Sequence, residues 1–269
     1  MTLAFTKLVG TGNDFVLIDR RRQGRLSKVQ GAALARKLCD RKHAIGADGL
    51  LVLESSRKAD FRMRIFNPDG SEAEMCGNGS RCAALYVVGK ARGHVSFETL
   101  SGRLDATVRG NTVKVKLPNP HSFRPNRKVT VCGKKLTLHL INTSVPHAIQ
   151  FVNNLARVDV ERCGEVIRHH RLFKPRGTNA DFVKVLEPGR IEIRTYERGV
   201  EGETLACGTG SAASALIVAK LKGFRSPISV LTKGGERLKI SFEEKDGQFE
   251  NVCLEGRVAQ VFEGRINDV

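Results

Sequence analysis

The sequence predicts an α/β (α+β) fold made of two pseudo-symmetric domains, each a curved, barrel-like mixed β-sheet around a central α-helix. Three observations lead to this prediction. A short cysteine–glycine motif occurs twice at a long interval, and an alanine- and leucine-rich run follows each copy. Short segments with the alternation of half-buried strands surround both copies.

The duplication is clearest around two cysteines. Residues 75–90 read MCGNGSRCAALYVVGK and residues 206–220 read ACGTGSAASALIVAK, so Cys76 recurs 131 positions later as Cys207. Residues 99–104 also match 232–238, and residues 12–16 match 178–183, which aligns Asn13 with Asn179. The unit is far longer than a solenoid repeat of ~20–50 residues, so we expect two fused domains.

The structure around each motif can be predicted from the order of residues. Residues 61–66 and 190–196 alternate apolar with polar side chains, as half-buried strands do, and a turn ending at the cysteine follows each. Residues 83–88 and 212–218 are almost entirely apolar, which predicts a helix that is buried on all sides. Further strands are expected at 95–99, 104–108 and 113–117.

The domain boundary is predicted at residues 117–121, where two prolines interrupt any regular element. We expect an N-terminal domain at 1–117, completed by a C-terminal strand at about 258–269, and a C-terminal domain at 118–257. The whole chain has 269 residues, 41% of them hydrophobic, which is enough for two proper cores.

The composition argues against several classes of protein. The net charge of +17 is large, but the basic residues are scattered, Trp is absent and only two Tyr occur, so we expect no nucleic-acid partner. No apolar stretch approaches the ~18 residues of a membrane helix, and residues 1–9 do not read as a secretory signal. Seven cysteines in a chain of this length favour reduced thiols and a cytoplasmic location.

A cysteine at the start of a helix is suited to acid–base chemistry. The first N–H groups of a helix have no intrahelical partner and carry about half a positive charge, which favours a thiolate and can hold a carboxylate. Two such cysteines, Cys76 and Cys207, provide the base and the acid that inversion of a stereocentre needs. We expect no cofactor and no metal, because no pyridoxal, nicotinamide or nucleotide motif occurs.

For one copy alone, the motif also fits a tight glycine turn with an inert cysteine, and the duplication favours the catalytic interpretation. The remaining five cysteines have no partner in the repeat, so we expect them to be buried and structural. Cys39 and His43 have helical spacing for a metal pair, but no second pair of ligands accompanies them.

Five segments resemble the diaminopimelate epimerase family along nearly the whole chain: GTGNDFVLID (10–19), LCDRKHAIGADG (38–49), RIFNPDGSEAEMCGNGSRC (64–82), RGTNADFV (176–183) and TYERGVEGETLACGTGS (195–211). Members of that family interconvert LL- and meso-diaminopimelate without a cofactor, for lysine and peptidoglycan synthesis. The resemblance implies the same activity, the same duplicated fold and a homodimer.

The resemblance also implies a role for particular residues. Cys76 and Cys207 would be the two bases, and His147 would lie near the thiols. The substrate would be bound by backbone amides and polar side chains, namely Asn13, Asn67, Gly77, Asn78, Asn179, Glu197, Arg198, Gly208 and Thr209. The same side chains also fit structural roles, the asparagines in turns, Glu197 and Arg198 as an exposed ion pair, and His147 as a loop histidine.

The sequence departs from the family in two places. Val145 stands where the family commonly has a substrate-binding asparagine before Pro-His, and residues 198–203 carry one extra residue. Three other functions remain open: a related racemase acting on histidine or proline, a thiol-redox protein, and a non-catalytic binding module. The absence of a C-x-x-C motif argues against the redox protein.

Overall fold

The computed structural model describes residues 2–267, which form two compact units. The described part of the first unit covers residues 2–116 and 256–267, and the second unit is Leu117–Glu255. Asp268 and Val269, which fall in the predicted C-terminal strand, lie outside the described residues, as does Met1. Among residues 2–267, no helix has the length and apolar character needed to cross a bilayer.

Residues 2–116 of the first unit form eight strands and two helices: β1 (Leu3–Gly10), β2 (Asn13–Asp19), α1 (Lys28–Leu38), β3 (Gly49–Glu54), β4 (Phe61–Phe66), β5 (Glu72–Ala73), α2 (Gly77–Val88), β6 (Gly93–Thr99), β7 (Gly102–Arg109) and β8 (Thr112–Lys116).

The second unit continues with the following elements: β9 (His121–Val131), β10 (Lys134–Asn142), β11 (Pro146–Phe151), α3 (Val160–Arg168), β12 (Asn179–Glu187), β13 (Arg190–Glu197), β14 (Gly202–Thr204), α4 (Gly208–Lys222), β15 (Ile228–Leu231) and β16 (Arg237–Lys245). A long last strand, β17 (Gln248–Ile266), pairs with β16 through its first half and with β1 through its second half.

The two units have the same strand order. In the first, β1–β2 is antiparallel, β2–β3 parallel, β3–β4 antiparallel, β4–β6 parallel and β6–β7–β8 antiparallel. The second unit repeats these directions in the same order, in the pairs β10–β11, β11–β12, β12–β13, β13–β15 and β15–β16–β17. The predicted fold class, two pseudo-symmetric domains that each contain a curved, mixed β-sheet, is therefore confirmed.

One helix lies inside the sheet of each unit. Helix α2 contacts β1 to β4 and β6 to β8, and α4 contacts β10 to β13, β15 and β16. Residues 77–85 of α2 and 208–219 of α4 are buried throughout, and most of their side chains are small or apolar, with Arg81 as the charged exception. The central helices and the strands at 61–66 and 93–116 confirm the predictions made from these segments, except that residues 86–88 of α2 are only half-buried.

A second helix in each unit packs on the outer face of the sheet. Leu50 and Val52 of β3 pack with α1, and Ala180 and Phe182 of β12 pack with α3. Successive side chains of a strand point to opposite faces. The residue between each pair, Leu51 in the first unit and Asp181 in the second, therefore points to the inner face.

The strand pairing corrects one detail of the predicted repeat. Asn13 begins β2, whose equivalent is β11, whereas Asn179 begins β12, whose equivalent is β3. Phe15 pairs with Gly49 as His147 pairs with Asn179, so Phe15 and His147 occupy matching places. The alignment of Asn13 with Asn179 was wrong, because a short N-x-D-F-V similarity recurs on strands that differ in topology.

Candidate active site

Cys76 and Cys207 are the N-cap residues of the two central helices. The backbone of each is extended, with φ −140° and ψ 115° at Cys76 and φ −114° and ψ 113° at Cys207. Each Sγ accepts a hydrogen bond of 3.4 Å from the N–H of the residue three positions on, Gly79 or Gly210. The sulfur atoms thus take the position that a serine or aspartate oxygen usually occupies at a helix start.

The first intrahelical bonds of these helices run from Ser80 N to Cys76 O (2.8 Å) and from Ser211 N to Cys207 O (2.9 Å). The N–H groups that precede them include the predicted carboxylate ligands Gly77, Asn78, Gly208 and Thr209. These groups and the helix dipole make each cysteine part of a helix start that favours anions.

In the first unit, the predicted residues Asn13 and Asn78 are in contact. The Asn78 side chain, 2% exposed, donates to Asn13 Oδ1 (2.5 Å) and accepts from Arg81 Nη2 (2.8 Å). Arg81 is fully buried, and its guanidinium also donates to Thr11 Oγ1 (2.6 Å). A buried arginine therefore fixes the start of α2 from inside the unit.

An ion-pair cluster supports Asn13 from the other side. Asn13 Nδ2 donates to Asp48 Oδ2 (3.2 Å), and Arg41 Nη2 bridges Asp48 (2.7 Å) and Asp14 (2.6 Å). Burial alone would raise the pKa of Asp14, but its hydrogen bonds to Arg41 and Lys7 hold that pKa well below the usual value. The position of Asn13 thus depends on charged neighbours that the motif itself did not identify.

Asn67 lies in the turn after β4. Its Nδ2 donates to Ser71 Oγ (2.9 Å), and its backbone pairs with Ser71 as well. Leu50 pairs with Phe66 in the first unit, and its equivalent Ala180 pairs with Tyr196 in the second. Phe66 and Tyr196 therefore match, and so do the residues that follow them, Asn67 and Glu197.

In the second unit, four buried side chains form a continuous chain of contacts that ends at Cys207. Asp181 Oδ2 lies 2.7 Å from His147 Nδ1, and His147 Nε2 lies 3.0 Å from Thr209 Oγ1. Thr209 Oγ1 lies 3.4 Å from Cys207 Sγ. The other oxygen of Asp181, Oδ1, accepts a hydrogen bond from Thr195 Oγ1 (2.8 Å). Thr195 and the four residues of the chain of contacts are each at most 8% exposed.

The electrostatics around Cys207 differ from the prediction. Burial raises the pKa of the Cys207 thiol, and the charges of Glu197 and Asp181 raise it further, while the hydrogen bonds from Thr209 and Gly210 oppose the rise. The expectation that a helix start lowers the pKa was wrong for Cys207, because removal from water outweighs the dipole. Burial also raises the pKa of Glu197, which accepts from Thr204 Oγ1 (3.1 Å).

Asn179 and Arg198 meet at the end of β13. Asn179 Oδ1 accepts from the Arg198 N–H (2.7 Å), and its Nδ2 donates to Pro146 O (3.2 Å). The segment with the extra residue forms the turn between β13 and β14, where Glu201 has φ 57° and pairs with Arg168 (2.9 Å). This ion pair fixes the turn that carries Arg198.

Asp181, Thr195 and Arg81 were not predicted to have a role, although each makes buried contacts at the site. Asp181 lies in the segment RGTNADFV (176–183). It could have been identified as a carboxylate that stands between apolar neighbours, at an inward position of a buried strand. Arg81 is a charged residue in the otherwise small and apolar segment that forms a buried helix. Charged residues are seldom fully buried unless they are paired, so both positions indicate specific contacts.

The prediction for the remaining five cysteines was partly wrong. Cys39 and Cys82 are buried, but Cys132, Cys163 and Cys253 are only half-buried. Cys132 lies in the turn between β9 and β10, and its Sγ is 4.0 Å from the Sγ of Cys163 on α3. In the part of the chain that the structure describes, no three His, Cys, Asp or Glu side chains are placed to hold a metal ion.

Solved structures identify the class of fold. A phenazine biosynthesis protein of the PhzF family from Bacillus anthracis matches with a TM-score of 0.77 over 99% of both chains, at 18% identity. A probable proline racemase from Agrobacterium radiobacter K84 matches with a TM-score of 0.75 over 98% of this chain and 92% of that one, at 16% identity. The fold is therefore that of the PhzF and proline racemase-like proteins.

Sequence comparison identifies the family within this class. The family model described as diaminopimelate epimerase matches residues 5–121 and 139–259. A protein named diaminopimelate epimerase from Hydrogenobaculum sp. (strain Y04AAS1) is 43% identical, with 98% of this chain and 99% of that protein covered. The chain belongs to the diaminopimelate epimerase family, whose members are isomerases, and the resemblance found in its motifs is confirmed.

Proposed function

We propose that this protein interconverts LL- and meso-diaminopimelate by a cofactor-independent, two-base mechanism in which Cys76 and Cys207 are the acid–base groups. The observation that carries the proposal is the duplicated helix start, where a cysteine N-cap stands beside N–H groups suited to a carboxylate. Family membership supports the choice of substrate.

In this mechanism, one cysteine as thiolate removes the α-proton of the substrate, and the other as thiol returns a proton to the opposite face. The negative charge that develops spreads into the adjacent carboxylate. Backbone N–H groups of Gly77, Asn78, Gly208 and Thr209 would stabilise that charge, since they are oriented before the reaction begins. Burial raises the pKa of the Cys207 thiol, which favours its protonated form.

The predicted polar residues suit a substrate with two ammonium and two carboxylate groups. Arg198 would bind a carboxylate, Glu197 would contact the reacting amine, and Asn13, Asn67 and Asn179 would hold the polar ends. Because the amides of these asparagines already bind protein groups, substrate would replace or extend existing hydrogen bonds.

We further propose that the enzyme is a homodimer, that it acts in the cytoplasm, and that it has no nucleic-acid or membrane partner. Family membership supports the dimer, and the scattered positive charge of +17 supports the absence of a nucleic-acid surface.

Incubation with meso-diaminopimelate in D₂O, followed by NMR of the α-position, tests the activity. We expect deuterium at the α-carbon and formation of the LL isomer. Cys76→Ser and Cys207→Ser should each lower the rate by about 10² to 10⁴, because a hydroxyl is a far weaker acid than a thiol. Cys253→Ser, at a half-buried cysteine on β17, is the matched control and should keep the parent rate.

Parent-like turnover in either variant of a helix-start cysteine would contradict the two-base assignment. Assays with L-histidine and L-proline address the alternative that the protein is a related racemase. Turnover of either amino acid in preference to diaminopimelate would overturn the proposed substrate.

A further inference from the structure

The turn between β13 and β14, which carries Arg198, is anchored to the end of α3 through one carboxylate oxygen. Glu201 Oε1 accepts hydrogen bonds from Arg168 Nε (3.1 Å) and Arg168 Nη2 (2.9 Å). The same oxygen accepts from the N–H of Gly199 (3.0 Å), and the N–H of Glu201 donates to Glu197 O (2.9 Å). A single side chain therefore binds both an arginine of a helix and the backbone of the turn.

Glu201 adopts a backbone conformation that residues with a side chain rarely take. Its φ of 57° lies in the left-handed region, and it belongs to the segment 198–203 that is one residue longer than the family's common form. Burial alone would raise the pKa of Glu201, but the hydrogen bonds from the Gly199 N–H and from Arg168 lower that pKa. The ionised carboxylate thus makes contacts that compensate for the unfavourable backbone.

The position of Arg168 is prepared by the fold. Arg168 is the last residue of α3, and its side chain is 15% exposed although it carries a charge. Gly177 has φ 69°, and a Cβ at that position would overlap Arg168 Nη1, so the chain has a glycine where the guanidinium passes. Nη1 itself donates to the carbonyl oxygen of Arg176 (3.4 Å).

The Arg176 carbonyl oxygen connects Arg168 with the predicted substrate ligand. It also accepts from Arg198 Nη1 (3.4 Å), so it lies between the two guanidinium groups. The backbone N–H of Arg198 is bound separately, by Asn179 Oδ1 (2.7 Å). Arg168 therefore reaches Arg198 by two routes. One runs through Glu201 to the backbone of the turn, and the other runs through the Arg176 carbonyl to the side chain.

The first unit has a related arrangement at the turn before its central helix. Arg36 lies in the last turn of the outer helix α1, and a Cβ at Gly70, in the turn between β4 and β5, would meet Arg36 Cζ at 2.8 Å. Hydrogen bonds from Ser71 lower the pKa of Asp69 in this turn, and the charge of Arg36 lowers it further. The turn begins at the predicted ligand Asn67. In each unit, an arginine of the outer helix thus lies against a turn that carries a predicted substrate ligand.

We propose that Arg168 and Glu201 are positioning residues for substrate binding, and that their ion pair holds Arg198 in the orientation that binds a substrate carboxylate. The proposal rests on the proposed function, in which Arg198 is that ligand. Bidentate binding of a carboxylate needs two parallel N–H···O bonds, so a small rotation of the turn would lose one of them. Arg168 and Glu201 do not touch the substrate and act only through Arg198.

Substitutions at Glu201 test the proposal with a matched control in the same unit. Glu201→Ala removes the carboxylate, and Glu201→Gln keeps an acceptor oxygen without the charge. Glu187→Ala is the control, because it breaks a 2.7 Å ion pair with Arg190 across the turn between β12 and β13, which carries no predicted ligand. The measurements are kcat and KM for diaminopimelate in both directions, together with circular dichroism and the Tm of each variant.

We expect Glu201→Ala to raise KM about 5- to 20-fold and to leave kcat within about threefold of the parent, because the interaction that weakens binds substrate and transition state alike. Glu201→Gln should raise KM less, and Glu187→Ala should have the parent KM. In an Arg198→Ala background, Glu201→Ala should change kcat/KM by less than about twofold, since the group that it positions is gone. An equal loss in both backgrounds, or a parent KM in Glu201→Ala, would overturn the positioning role.

Hydrogen exchange measured by NMR tests the anchor without an activity assay. We expect the amide hydrogens of Arg198 and Gly199 to exchange at least about tenfold faster in Glu201→Ala than in the parent, and at the parent rate in Glu187→Ala. Parent-like exchange in Glu201→Ala would overturn the proposal, and Glu201→Gln answers the same question if Glu201→Ala does not fold. A parent protein that leaves diaminopimelate unchanged would instead overturn the proposed function, and with it the binding role of Arg198.

Discussion

Replacing Gly210 by alanine would place a methyl group against the buried carboxylate of Asp181. That carboxylate is fixed by His147 Nδ1 at 2.7 Å and Thr195 Oγ1 at 2.8 Å, so it has no free direction in which to move. The duplication offers a matched control. Gly79 has the same position in α2, where a Cβ would meet the terminal methyl group of Leu51 at 3.0 Å.

The expected magnitudes follow from these two environments. Displacing Asp181 weakens two hydrogen bonds to a charged group, each contributing about 1.5–3 kcal/mol, so we expect a gross cost of about 2–4 kcal/mol. Alanine recovers up to about 1 kcal/mol of helix propensity, which leaves a net loss of about 1–3 kcal/mol for Gly210→Ala. In Gly79→Ala, the same gain in helix propensity offsets a cost of about 1 kcal/mol for overpacking against the flexible Leu51 side chain, so we expect little net change in the free energy of unfolding.

Urea denaturation at pH 7 measures the free energy of unfolding of both variants, and the diaminopimelate assay measures their activity. Gly210→Ala should be the less stable variant and should also lose more activity, because the carboxylate that positions His147 has shifted. The reasoning would be refuted if Gly210→Ala were as stable and as active as Gly79→Ala.

Three further predictions concern other parts of the chain. Hydrogen bonds from Arg41 keep the pKa of Asp14 in the folded protein below the value of about 4 that it has in the unfolded chain, so the contribution of Asp14 to stability is lost as pH falls. The difference in free energy of unfolding between the parent and Asp14→Asn should therefore shrink between about pH 5 and 2, and a constant difference would contradict this. Oxidised glutathione should link Cys132 to Cys163 in a disulfide, while one glutathione disulfide is reduced to two molecules of glutathione. Peptide mass mapping that finds both cysteines still alkylatable would disprove the link. Arg198→Lys keeps the charge but loses the planar fork, so kcat/KM should fall at least about tenfold, and parent-like kinetics would rule out a bidentate contact.

The sequence by itself was sufficient to predict the duplicated fold and the place of both cysteines. A cysteine–glycine turn followed by a small and apolar run predicts a buried helix that begins at the cysteine, and Cys76 and Cys207 are the N-caps of such helices. These features are local, since the residues that produce them are neighbours along the chain. The roles of the predicted substrate ligands remain predictions.

Tertiary structure decided which residues surround each thiol. His147 and Asp181 are 34 positions apart, and His147 and Thr209 are 62 positions apart, so only the parallel pairing of β11 with β12 and the packing of α4 inside the sheet bring them together. The same packing removes Cys207 from water and raises its pKa, against the expectation from the helix dipole. Strand pairing and desolvation depend on distant parts of the chain, and for that physical reason a local motif could not reveal them.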